Sequence, residues 1–111
     1  MDLEFNETKH ETLVNDYDAL SKKYNRKGQC YAMDILATIN ALHAAPTLHD
    51  VPRSFRPHPL QGNYKGHFAA DVDDLHRVIF RPNEAANPEY RIDNFKTIKR
   101  ITIIEIFSNY H

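Results

Sequence analysis

The chain has 111 residues, 41% of them hydrophobic, and a formal net charge of −1, enough for the core of one domain and no more. A large two-domain enzyme is excluded, and no apolar run reaches the roughly 18 to 20 residues of a membrane span. Residues 1–10 are acidic and polar, without the basic and apolar segments of a secretion signal, so a soluble cytoplasmic protein with no membrane association is expected. The single cysteine, Cys30, leaves no internal disulfide and no closed thiolate zinc site. Charge is uneven: residues 1–50 carry 5 Lys/Arg against 8 Asp/Glu, residues 51–111 carry 9 against 7. Arg53, Arg56, His58, Lys65 and His67 fall in a stretch, 51–70, without an acidic residue, which makes it the place to look for phosphate contacts.

All six prolines lie at Pro46 or later, which divides the chain into a helical front and a turn-rich, strand-like back, an α+β pattern. Leu3 and Phe5 alternate with acids as in a short strand. Thr8 and Glu11 have capping-box spacing, and Leu13, Val14, Tyr17, Leu20 and Tyr24 form one face of a helix that Lys22, Lys23, Arg26, Lys27 and Gly28 would close. A second helix is expected over 29–44, with Ala32, Ile35, Leu36, Ile39 and Leu42 as its core stripe and Pro46 as its stop. The two helices would form a hairpin.

Pro46, Pro52, Pro57 and Pro59 make 46–66 an irregular loop without regular pairing. Phe68, Ala70 and Val72 alternate with Ala69 and Asp71, Asp73 and Asp74 supply a turn, and 75–81 reads as the returning strand. Residues 82–97 form a long excursion, read as a tolerated surface loop in preference to a contact for RNA or a partner. Residues 98–107 contain six β-branched side chains and are apolar on both faces, so this strand belongs inside the sheet.

The seven histidines invite a metal reading, but His58, His67 and His76 are nine apart where metal ligands usually sit two to five apart. No metal or other cofactor is expected. Ser21, Ser54 and Ser108 lack a nucleophile elbow, and there is no glycine-rich phosphate loop.

The most informative segments are RPHPLQGNYKGHF at 56–68, HRVIFRP at 76–82 and IIEIFSNYH at 103–111. HPLxGxxxG, a strand carrying RVIF, and a terminal apolar strand ending in NYH together resemble the RelE/ParE toxin superfamily, and within it the HigB-type plasmid maintenance killer proteins. The resemblance extends upstream through LHAAPTLHDVP and so covers residues 42–111. It implies a single RelE-like α+β domain, a helical hairpin on a small, mostly antiparallel sheet, with the RNA site on the opposite face. It also implies a type II toxin: a ribosome-dependent endoribonuclease that cuts mRNA in the A site without a metal. Its partners would be the ribosome, mRNA and a cognate antitoxin, a HigA-like helix-turn-helix protein, in a toxin–antitoxin hetero-oligomer.

Such cleavage needs a base for the ribose 2′-oxygen, an acid for the leaving 5′-oxygen and positive charge around the phosphorane. By the resemblance, His58 of the HPL motif is the first acid/base candidate, against the reading of a turn histidine between two prolines. Arg77 matches a strand cation that contacts the scissile phosphate as a charged fork, against that of an exposed solubilising arginine. Arg81 would extend the cation patch on the same face. Tyr110 and His111 match the terminal tyrosine and histidine, as hydrogen-bond donor or base and as a second acid/base, in a tail that the preceding strand would anchor. Asn109 stands where relatives commonly carry aspartate, so an amide replaces a carboxylate. Lys65 and, more weakly, Arg56 and Arg53 are RNA-contact candidates. Two other functions stay open: a non-enzymatic gyrase poison of the same superfamily, and a catalytically weak relative that binds protein or RNA without cutting.

Overall fold

The β-branched run near the C-terminus becomes the centre of the molecule. In a computed structural model, which describes residues 1–84 and 87–110, with Arg26 by its backbone alone, this run is strand β7 (Arg100–Ser108). It is flanked by β1 (Asp2–Phe5), parallel to it, and by β6 (Arg77–Pro82), antiparallel. β5 (Phe68–Asp71) and β4 (His58–Pro59) complete a five-stranded mixed sheet in the order β1-β7-β6-β5-β4. β1 covers Arg100–Ile103 and β6 runs along the other side to Ser108, so the first half of β7 is paired on both sides.

Among the described residues three helices, not two, pack on the main core. The expected first helix breaks into α1 (Thr8–Val14) and α2 (Tyr17–Lys23). The side chain of Asn15 bonds the Glu11 carbonyl, and Asp16 accepts from the Ala19 amide as a new N-cap. These short polar groups offer the backbone an alternative to continuing the helix. Thr8 makes no capping bond, and Glu7 holds the N-cap position. Lys27 and Gly28, expected as a helix end, take φ of 52° and 79° and close a two-residue hairpin between β2 (Asn25–Arg26) and β3 (Gln29–Cys30), the backbone such a turn demands. α3 therefore starts at Ala32 and ends at Ala44. Leu36 is only partly buried. Thr38 is buried in the same helix, and its hydroxyl reaches the Asp34 carbonyl at 3.1 Å and the Asp71 carbonyl at 2.8 Å. That bond ties α3 to β5.

The main core lies between α3 and the sheet: Ile35, Ile39 and Leu42 meet Phe68, Val78, Phe80, Ile101, Ile103 and Ile106. On the opposite face a smaller cluster gathers Leu60, Ala69 and Ile79 with Tyr64, Ile104 and Tyr110.

Two stretches are more ordered than their prolines suggested. Residues 46–66 hold three 3-10 turns (Leu48–Asp50, Arg53–Phe55, Gly62–Tyr64) and the edge strand β4. β4 pairs His58 with Ala69 and Pro59 with Phe68, and Leu60 N donates to His67 O at 2.9 Å. An edge position tolerates proline because one side of the strand needs no donor. Residues 82–97 are docked at both ends. The buried Glu84 carboxylate accepts from the Lys99 and Arg100 amides, and Phe95, in the 3-10 turn Phe95–Thr97, packs edge-on against Phe68 at 5.4 Å.

Among the described residues, no helix is long and apolar enough to cross a membrane.

Candidate active site on the helix-free face of the sheet

Strand register decides which side chains meet on the face that the helices leave uncovered. His58, Ala69, Ile79 and Glu105 are cross-strand partners in one row, and Asp71, Arg77 and Ser108 in the next. Period-two alternation brings Arg77, Ile79 and Arg81 to one side of β6, and Ile79 belongs to the small cluster with Tyr64 and Tyr110. The HPL motif, the RVIF strand and Tyr110 of the tail, far apart in sequence, thus converge on one surface.

His58 is half-buried on the edge strand, and its Nδ1 lies 2.6 Å from the Arg56 carbonyl oxygen. A carbonyl only accepts, so Nδ1 is the nitrogen that donates in this contact and Nε2 is turned away from it. The turn reading of this residue is replaced by a strand position.

Arg77 departs from the expected open cation. Its side chain is 8% exposed, with Nε 3.3 Å from Asp71 Oδ1, while Asp71 Oδ2 lies 3.6 Å from Arg56 Nε. One carboxylate thus serves two guanidinium groups and leaves the trio with one net positive charge. The Nε and Nη1 atoms of Arg77 and Oδ1 of Asp71 are buried and, among the described residues, lack a hydrogen-bond partner of good geometry, so the pair is held by charge and not by an aligned hydrogen bond. Asp71 has no signal in the local sequence: it reads as a polar residue in an alternating strand, and only the β5–β6 register sets it opposite Arg77.

Tyr110 is anchored. Its hydroxyl donates to the Gln61 carbonyl at 2.7 Å, its ring meets Tyr64 edge-on at 4.7 Å, and its amide bonds Ser108 Oγ at 3.1 Å. Gly62 lets the tyrosine approach: its φ is +66°, and a Cβ there would lie 3.0 Å from the Tyr110 hydroxyl. Asn109 is exposed beside it. His111 lies outside the described residues.

The other cations are more dispersed. Arg81 is exposed on the site face opposite Thr102. Arg53 is exposed in its 3-10 turn. Lys65 sits on the rim of an apolar groove of about 480 Å³ between the HPL loop and Ile92 and Phe95. Arg56 and Asp71 border a second cleft of about 360 Å³ that also holds Asp34, Asp73 and Asp74, and those acids disfavour a phosphate approaching from that side. His67 points at the Lys65 carbonyl, and His76 pairs with Asp73 and stacks on Phe107 at 3.8 Å. Among the described residues, no three His, Cys, Asp or Glu side chains gather to hold a metal.

No family model and no curated protein matches the chain. Solved structures do. A YoeB/ParE toxin from Agrobacterium tumefaciens is similar over 100% of both chains, at 15% identity and a TM-score of 0.51. A YoeB-YefM complex from Staphylococcus aureus is similar over 100% of this chain and 97% of that one, at 16% identity and a TM-score of 0.53. At such identities the likeness speaks for the fold alone: the α+β arrangement of helices over a five-stranded mixed sheet is one that this chain shares with these two structures.

Proposed function

We propose that the chain is the toxin of a type II toxin–antitoxin pair, an endoribonuclease that cleaves mRNA in the A site of translating ribosomes by acid/base chemistry, and that its nearest kind is the HigB-type killer protein of the sequence resemblance. The observation that carries this reading is one surface: a histidine with a free Nε2, two guanidinium groups sharing one carboxylate, and an anchored terminal tyrosine, all on the helix-free face of a toxin-type fold.

The chemistry follows from the groups present. His58 Nε2 takes the 2′-hydroxyl proton or supplies one to the leaving 5′-oxygen, and His111 is the second acid/base. Arg77, with Arg81 outside it, meets the charge that grows on the phosphorane. Tyr110 is held by its own donated proton, so its hydroxyl oxygen is left to accept. Lys65, Arg56 and Asn109 are RNA contacts at the periphery. A surface that would cleave host mRNA needs restraint, and a HigA-like helix-turn-helix antitoxin in a hetero-oligomer supplies it. One of the similar folds was solved as a YoeB-YefM complex, with a second protein bound.

Induced expression tests the reading. Wild type should arrest growth, and His58→Ala, Arg77→Ala and His111→Ala, each checked for folding by circular dichroism, should lose about a hundredfold or more of the activity. Full toxicity in all three folded variants would contradict it, and a supercoiling assay would then examine gyrase.

A further inference from the structure

Arg56 touches both chemical halves of the site. Among the described residues it is one of only two non-glycines with positive φ, the other being Lys27 in its hairpin turn. Its backbone (φ 48°, ψ 55°) is left-handed, although a residue before proline, here Pro57, is ordinarily held extended. Lys27 needs its conformation to close a two-residue turn. Arg56 has no such hairpin: it ends the 3-10 turn Arg53–Phe55, its amide donating to the Arg53 carbonyl at 2.9 Å, and the chain then enters β4.

The unusual backbone has two results. The Arg56 carbonyl comes to 2.6 Å from His58 Nδ1, and the Arg56 guanidinium comes to 3.6 Å from the carboxylate that also faces Arg77. Non-glycine residues held in sparsely populated conformations cluster where geometry is functionally required. We propose that Arg56 is a positioning residue, whose left-handed carbonyl holds His58 in the Nδ1–H tautomer with Nε2 free and whose side chain, through Asp71, sets the guanidinium of Arg77. What His58 and Arg77 do rests on the nuclease reading; how they are held does not.

Imidazole ¹⁵N–¹H correlation spectra of the folded, RNA-free protein separate the two. Wild-type His58 should show the Nδ1–H tautomer in large excess. Arg56→Gly, which enters the left-handed region freely, should keep that tautomer. Arg56→Val, which disfavours that region, should move it to a mixture; Arg56→Ala serves the same purpose if the valine variant fails to fold. In ribosome-dependent cleavage, Arg56→Gly should lose about tenfold through its missing side chain, and Arg56→Val about a hundredfold as the imidazole is also released. A tautomer unchanged by valine or alanine, or altered equally by glycine, overturns the proposal. A wild-type protein that cuts no mRNA overturns the nuclease reading, and the tautomer comparison still decides the role of Arg56.

Discussion

Removing Asp71 tests how the site is held together. The Arg77 side chain is 8% exposed and that of Asp71 14%, with 3.3 Å between Nε and Oδ1. Asp71→Ala leaves a permanent charge in the sheet, facing a second cation, Arg56. Breaking a buried pair from one side costs about 3 to 5 kcal/mol, whereas replacing both partners by apolar groups is often neutral. The long contact and the place of Asp71 at the end of β5 point to the lower end, about 3 kcal/mol, which in a domain of this size lowers Tm by about 12 °C. Asp71→Ala/Arg77→Met removes the stranded charge with the carboxylate and should recover all but about 1 kcal/mol of that loss. Urea unfolding gives both values. An Asp71→Ala midpoint within about 0.5 kcal/mol of the parent, as for a surface change, or a double variant as unstable as the single one, would refute this account of the trio.

Other consequences are local. Gly62→Ala places a methyl 3.0 Å from the Tyr110 hydroxyl at a φ of +66°, so it should cost about 1 to 2 kcal/mol and release the terminal tyrosine, visible as faster amide exchange after residue 108. Glu84→Ala strands two backbone donors at the start of β7 and should cost about 2 kcal/mol in urea unfolding, loosening residues 82–97 in hydrogen exchange. Burial pushes the Asp73 carboxyl up, but the amides of Leu75 and His76 and the His76 ring, all bonding to it, carry it below the ordinary aspartate value. Its contribution is therefore complete above the unfolded value of about 3.9 and is lost as pH falls through the lower folded value. Asp73→Asn should flatten that part of the stability–pH curve.

What was legible depended on how local the cause is. β7 announced itself through its β-branched residues, and its apolar faces placed it correctly between two neighbours. The α1–α2 break was hidden because the apolar spacing of Leu13, Val14, Tyr17, Leu20 and Tyr24 runs straight across it, while the interruption comes from the side-chain bonds of Asn15 and Asp16. β4 was masked by Pro57 and Pro59, because proline argues against central strands and says little about an edge. In the candidate site, His58, Arg77 and Tyr110 were named from motif positions and Arg81 from strand spacing, and the sheet brings them to one face. Asp71, which neutralises part of that charge, and the carbonyl of Arg56, which orients His58, were not found. One is a register effect between strands and the other a backbone conformation, and neither leaves a pattern in residue types. The anchoring of Tyr110 by Gln61 joins positions 49 apart in the chain and is equally silent in the sequence.

The central claim is that this surface cuts mRNA only in the ribosome. The direct measurement is to add purified protein to a defined translating ribosome complex and map new mRNA 5′ ends, with the same mRNA free of ribosomes beside it. The account predicts cuts confined to the A-site codon, present with ribosomes, absent without them, and lost with His58→Ala. Intact mRNA on ribosomes treated with folded wild-type protein, or equal cutting of free mRNA, would contradict it.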